Sequence, residues 1–231
     1  MKTIGLLGGM SWQSSAEYYR IINEEMNKQL GKNHSARILM YSFDFQEIEL
    51  MQIHDQWDEL NQLVVNAAVT LQNANAEILI ICSNTMHRCF DKIQEQVKLP
   101  MIHIVESVGI KLALSEIKIA GLLGTKYLLK SNLYQDVLLN QFNITVKLPT
   151  VDQIEMINNI IYDELVKGII NPESKNLILD IIEELVNRGI ESIILGCTEI
   201  PLIIKPNDCR IPVTDTTYIH SISTVKAALD I

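Results

Sequence analysis

The sequence has no apolar run near the ~20 residues that span a bilayer; its longest, such as Ile78-Leu79-Ile80-Ile81, have the length of buried strands. It has no basic stripe: 19 Lys and Arg are scattered against 28 Asp and Glu, for a net charge of −9. That argues against nucleic acid as a partner, while an acidic small molecule stays open because local donors can outweigh the global field. There are only four cysteines, Cys82, Cys89, Cys197 and Cys209, and no CxxC pair. Neither a GxGxxG dinucleotide loop nor a lysine motif and phosphate cup for pyridoxal phosphate is present, so no cofactor is expected. Met1-Lys2-Thr3-Ile4-Gly5 leads directly into a strand-like segment, without the longer apolar stretch of a secretory signal. The expectation is a cytoplasmic protein, not associated with membranes, whose cysteines are thiols.

What is present is an α/β pattern. Hydrophobic residues make up 48% of 231, enough for one large domain or two lobes. Short runs rich in Ile, Leu and Val at 2–7, 36–43, 77–82, 101–105, 117–123, 144–148, 191–196 and 211–214 predict strands. Most do not alternate apolar with polar, as expected of parallel strands covered on both faces. Between them lie helical periodicities. In 57–74, Trp57, Leu60, Val64, Ala67, Ala68 and Leu71 recur at steps of three and four, and in 176–186 so do Leu177, Ile178, Ile181, Ile182 and Leu185. Asn171-Pro172-Glu173 is a helix start, with a capping side chain, a first-turn proline and an acid at the positive end of the dipole. Asp152 is expected to cap a helix over 153–167. The alternation predicts βαβ units and open, mostly parallel sheets.

The chain also repeats itself. Lys2 to Gly8 (KTIGLLG) is echoed by Lys118 to Gly124 (KIAGLLG) at an offset of 116. Glu77 to Ser83 (EILIICS) is echoed by Glu191 to Thr198 (ESIILGCT), with the cysteines offset by 115. Leu99-Pro100 is matched by Ile211-Pro212, offset by 112. Short apolar strands resemble one another by chance, but three landmarks in one order at nearly one offset predict two similar lobes. The expected division is 1–112 and 113–231, with the C-terminal helix returning to the first lobe, a pseudo-twofold between the lobes and the site between them.

Cys82 and Cys197 each end an apolar strand and precede a hydroxyl residue, Ser83 or Thr198. Carboxyl ends of strands are where open α/β sheets bind ligands, and a helix N-terminus there is expected to lower a thiol pKa. Two equivalent thiols have a specific use. Inverting a stereocentre requires removing a proton from one face and delivering one to the other, so each enantiomer needs its own base. The plainer alternative is two buried structural cysteines, and their matched placement weakens it.

With these residues in view, the sequence resembles the aspartate/glutamate racemase family, cofactor-independent enzymes with two cysteines, over essentially the whole chain. The resemblance is carried by Gly5 to Ser11 (GLLGGMS), Cys82 to His87 (CSNTMH) and Gly196 to Glu199 (GCTE). The Gly-Gly-Met-Ser-Trp opening and the Asn-Thr-Met-His ending look most like the broad-range branch. It implies an amino-acid substrate, Cys82 and Cys197 as proton donors and acceptors, and a homodimer. It places Ser83, Asn84 and Thr85 at the substrate's α-carboxylate and ammonium, with Met10, Thr198 and Glu199 beside them. Lys167, in Tyr162-Asp163-Glu164-Leu165-Val166-Lys167, is expected to pair with a carboxylate, although a solvated lysine reads equally well. Aspartate-specific members carry an arginine after the second strand. Here 44–52 has none, and Gln52 is the available neutral donor, which favours a broader amino-acid range.

Other readings stay in view. Related folds decarboxylate or isomerise dicarboxylates, and a non-enzymatic amino-acid sensor would also bind between lobes. Cys82, His87, Cys89 and Cys197 lack standard zinc spacing, so no metal is expected. His87 is expected to cap or orient within the helix after Cys82.

Overall fold

The computed structural model describes residues 1–231. The chain forms two compact units, Met1–His103 with His220–Ile231, and Ile104–Ile219. The first is built from β1 (Ile4–Gly8), α1 (Trp12–Leu30), β2 (Ile38–Ser42), α2 (Phe45–Ile53), α3 (Trp57–Asn73), β3 (Ile78–Ile81) and α4 (Phe90–Gln96). The second is built from α5 (Ile104–Leu114), β4 (Ile119–Leu123), α6 (Lys126–Leu129), α7 (Leu133–Phe142), β5 (Thr145–Lys147), α8 (Val151–Asn159), α9 (Pro172–Asn187), β6 (Ser192–Leu195), α10 (Ile200–Ile203) and β7 (Val213–Asp215). Helix α11 (Thr216–Leu229) follows, and from His220 onward it belongs to the first unit. The boundary expected at 112 lies inside α5, a helix packed wholly within the second unit. No helix is long and apolar enough to cross a membrane.

Both sheets are entirely parallel, in the orders β2-β1-β3 and β5-β4-β6-β7. Strands β1, β3 and β6 are buried at every residue, because helices cover both faces and the apolar runs have no polar side to expose. Helix α3 buries Leu60, Val64, Ala67, Ala68 and Leu71, the stripe its spacing predicts. Helix α9 starts as expected: the Asn171 side chain accepts from the Glu173 N–H at 3.0 Å, and Pro172 occupies the first turn.

The internal repeat reappears as repeated hydrogen bonds. The Glu77 carboxylate accepts the Thr3 N–H at 2.7 Å, and that of Glu191 accepts the Lys118 and Ile119 N–H groups at 2.6 and 3.0 Å. The Leu79 N–H donates to the Pro100 carbonyl and the Ile193 N–H to the Pro212 carbonyl, both at 3.0 Å. Cys82 N–H donates to Leu7 O at 2.9 Å, and Gly196 N–H to Leu123 O at 2.7 Å. These bonds join the same strand positions in each unit: the Glu and Pro landmarks coincide, while the strand-end bond is made by Cys82 in one unit and by Gly196, the residue before Cys197, in the other.

Three local expectations are corrected. Residues 101–105 do not form a strand: Met101 makes a single parallel bridge to Leu79 and α5 begins at Ile104. Asp152 does not cap α8. Thr150 does, through a capping box in which its hydroxyl accepts the Gln153 N–H and the Gln153 side chain accepts the Thr150 N–H. Asp152 instead lies in the first turn, where its charge complements the dipole. The helix expected to reach 167 ends at Asn159 and continues as a π turn (Ile160–Glu164) and a 3-10 turn (Leu165–Lys167).

Candidate active site

In the first unit, β1 ends at Gly8 and the chain turns through Gly9 into α1. Gly9 has φ +85°, and a Cβ there would sit 2.4 Å from the Phe43 backbone, so only glycine fits the turn. Its N–H donates to Ser15 Oγ at 2.7 Å, and the Ser11 hydroxyl caps α1 by accepting the Ser14 N–H. This cap places Ser14 Oγ 2.9 Å from the Cys82 carbonyl, to which it donates. Ser83, Asn84 and Thr85 follow in a buried turn that becomes a 3-10 helix at Thr85–Cys89. Ser83 Oγ accepts the Met86 N–H at 3.4 Å, and His87 Nδ1 lies 2.7 Å from the Ser83 carbonyl. Cys82 is fully buried within a core of Ile4, Leu6, Ile78 and Ile80.

Met10 and Gln52 belong to the same unit. Met10 is buried in the core beneath α3, and the Gln52 amide, buried on α2, lies 3.3 Å from Met86 Sδ. Gln52 thus faces the segment that carries Asn84 and Thr85, with a thioether beside it. No lysine or arginine of the chain is buried.

In the second unit, Cys197 follows β6 through Gly196. A Cβ on Gly196 would stand 2.8 Å from Leu123 O and 2.9 Å from Leu122 Cδ1, so this approach of two strand ends also needs glycine. Cys197 Sγ donates to Glu199 Oε2 at 2.9 Å, and Thr198 Oγ1 donates to the same oxygen at 2.7 Å. Glu199 is buried at the start of α10. Lys167 touches none of these groups. Its side chain is exposed at the end of the 3-10 turn, 3.7 Å from Asp163, the solvated placement that its sequence context left open.

The thiol acidities run opposite to the helix-terminus expectation. Burial holds the Cys82 thiol above its ordinary value. Burial also raises Cys197 well above the ordinary range, and the neighbouring Glu199 charge and hydrogen bond raise it further; the Glu199 and Ile200 N–H groups pull the other way and lose. A five-residue 3-10 turn and a four-residue α10 carry too little dipole to offset full desolvation.

Sequence reasoning misses Ser14, His103, His220 and Tyr18. Tyr18 O–H lies 2.9 Å from His220 Nδ1, a contact between residues separated by 202 positions, and no local signal pairs them.

Comparisons with known proteins give the chain a family. Residues 7–222 match the Asp/Glu/hydantoin racemase family. The broad specificity amino-acid racemase RacX of Bacillus subtilis is 24% identical over 98% of both chains. A Yersinia pestis protein assigned as a candidate Asp/Glu racemase superposes with TM-score 0.92 at 41% identity, covering 99% of this chain and 100% of that one. An aspartate racemase homologue from Pyrococcus horikoshii superposes with TM-score 0.85 at 33% identity, again over 99% and 100%. The chain belongs to the Asp/Glu/hydantoin racemase family.

Proposed function

We propose that the protein racemises amino acids without a cofactor, with Cys82 and Cys197 as the two acid/base groups. The observation that carries the reading is the equivalence of the two thiols. Each stands at the carboxyl end of the strand beside β1 or β4; the bond that ends this ladder is made by the Cys82 N–H in one unit and, one residue before Cys197, by the Gly196 N–H in the other.

Two neutral thiols cannot start the reaction, so one proton must be held elsewhere. The Cys197–Glu199 contact supplies the place. Breaking S–H and forming O–H on Glu199 leaves a thiolate beside a neutral acid. That thiolate removes the Cα proton while the Cys82 thiol protonates the opposite face, and the carbanion's electron pair takes the new bond. The products are the other enantiomer, a Cys82 thiolate, a Cys197 thiol and a still-protonated Glu199, which is the state the reverse direction needs. The Cα proton of an amino acid is a far weaker acid than a thiol. Donors around the carboxylate must therefore stabilise enolate-like charge, and Asn84, Thr85, Thr198 and the N–H groups of the Ser83–Thr85 turn are the candidates. Ser83 belongs to this turn, and Met10 shares a core with Met86 on the helix that follows it. Family membership also favours a cytoplasmic homodimer.

The test is incubation of single enantiomers of alanine, methionine, glutamine, aspartate and glutamate with the protein in deuterated water. Loss of optical rotation with deuterium at Cα is expected. Binding without exchange would mark a sensor, and carbon dioxide release a decarboxylase; either overturns the reading.

The side-chain preference follows from Gln52. An acidic substrate side chain would find an amide and a thioether at this position, with no buried cation anywhere in the chain. Uncharged amino acids are therefore expected to turn over faster than aspartate. Gln52→Arg is expected to raise the ratio of kcat/KM for aspartate over methionine by about tenfold, the scale of one charge-assisted contact. An unchanged ratio would place substrate specificity elsewhere.

A further inference from the structure

Three buried histidines of the first unit have no part in the proton transfers above. His87, on the turn after Cys82, has its ring centroid 5.3 Å from that of His103 and 5.4 Å from that of His220, edge to face in both pairs. His103 is the residue at which the chain leaves the unit, and His220 the residue at which it returns. The hydrogen bonds fix the proton on His87 Nδ1 and both ring nitrogens of His220. The Ser83 carbonyl only accepts, so His87 Nδ1 carries the hydrogen, at 2.7 Å. The Ile102 carbonyl only accepts, so His220 Nε2 donates to it at 2.9 Å. His220 Nδ1 is then the acceptor for Tyr18 O–H, also at 2.9 Å. The His87 and His220 rings are neutral: burial and the proximity of the neighbouring histidines hold His87 well below the usual imidazole range, and burial pushes His220 down to about 4.

The consequence falls on Cys82. Three successive groups around it are held from three directions. Its N–H is bonded to Leu7 on β1, its carbonyl to Ser14 on α1, and the next carbonyl, that of Ser83, to the His87 ring. The first two bonds fix the peptides on either side of the Cys82 Cα. The third fixes the Ser83–Asn84 peptide, which sets both the exit direction from Cys82 and the N–H groups of Asn84 and Thr85. A main-chain N–H could have satisfied Ser83 O, as happens in an ordinary helical turn. A side chain held by two further rings fixes it instead.

We infer that His87 is a positioning residue for Cys82, aiming its thiol and the following turn at substrate, and that His220, held by Tyr18 and Ile102, fixes the His87 ring. This inference rests on the two-thiol reading above. A misplacement on the ångström scale at a reacting group costs up to about 100-fold in rate, so the effect is large enough to measure.

The experiment compares His87→Leu, which removes the donor, with His87→Asn, whose amide places a donor near the position of Nδ1. Wild type and variants are assayed in both directions with substrate protiated or deuterated at Cα, using whichever enantiomeric pair of the five amino acids wild type turns over fastest. For His87→Leu, kcat is expected to fall by roughly 10- to 100-fold. The deuterium isotope effect on kcat/KM should rise only in the direction in which Cys82 removes the proton, because only there does the slowed Cys82 transfer move the labelled hydrogen of the substrate. His87→Asn should restore kcat to within a few-fold. A loss of folded protein alone would lower kcat and leave both isotope effects unchanged. If His87→Leu fails to fold, His220→Gln carries the same test, since it keeps a donor for Ile102 and removes the ring from His87. Isotope effects that stay equal in both directions, or no rescue by asparagine, overturn the inference. Absence of racemisation in wild type overturns the two-thiol reading first and the inference with it.

Discussion

Replacing Cys82 or Cys197 by serine is expected to lower kcat/KM by about 10³-fold in both directions, within the 10²–10⁴ that a positioned acid/base group contributes. Serine keeps the shape of the side chain, so the loss reads chemistry. An alkoxide is far harder to form than a thiolate, and the hydroxyl is a correspondingly poor acid toward carbon. Each turnover uses one sulfur as base and the other as acid, so removing either disables both directions; since the two enantiomers are equal in energy, the two kcat/KM values must fall together. Cys89→Ser is the control, because Cys89 is also buried, lies in the core of Leu60, Val64 and Ile93, and makes no contact with Cys82 or Cys197 that the proposed chemistry uses. It should keep activity within a few-fold at a temperature where it remains folded. Retention of activity within tenfold of wild type by Cys82→Ser or Cys197→Ser would sink the two-base mechanism. Loss in Cys89→Ser equal to theirs would mean that the assay reads core damage.

Most of the fold that positions these thiols is legible in the sequence, and the reason is specific. Parallel strands buried on both faces leave unalternating Ile and Leu runs, and a duplicated unit prints the same Glu, Cys and Pro landmarks twice. Glu77 and Glu191 are visible because each must accept main-chain N–H groups at the start of a central strand. What fails to be legible depends on competition between neighbouring signals or on distant contacts. Residues 101–105 have strand composition, yet Ile104 and Val105 are the buried first turn of α5, and only Met101 pairs. Thr150 and Asp152 are both good caps. The reciprocal bond from Gln153 selects Thr150, since a capping box needs its partner at the third helical position. Thiol acidity is misjudged because strand-end placement suggests a helix dipole, while the helices that form are too short to outweigh burial. The histidine cluster joins α11 to α1 and to the turn after Cys82, and nothing within a sequence window announces it.

The same buried groups set a narrow pH range for stability. Cys82, Cys89 and Cys197 lie in three separate cores, and burial raises all three thiols, that of Cys89 to about 12. Unfolded, each ionises near 9. Above that pH the unfolded chain releases protons that the folded chain keeps. Their contribution is therefore complete below pH 9 and is lost as pH rises. Each group costs about 1.4 kcal/mol per pH unit, so three cost about 4 kcal/mol at pH 10. That is a large part of the roughly 5–15 kcal/mol of a typical domain. Tyr134, raised by burial, adds to the loss at higher pH. On the acid side His87 and His220 act in the opposite sense. Their folded values are depressed from 6.5, that of His220 to about 4. Stability is intact above 6.5 and is lost as pH falls, because the unfolded imidazoles bind protons first. Urea midpoints are thus expected to be flat between pH 7 and 8.5, and to fall on both sides, more steeply on the alkaline side. Cys89→Ala should lower the plateau by leaving a cavity and reduce the alkaline slope by about one third, while the acid limb keeps its slope. Midpoints that stay level to pH 10.5, or an alkaline slope unchanged by Cys89→Ala, would show that the buried thiols do not hold their protons in the folded chain.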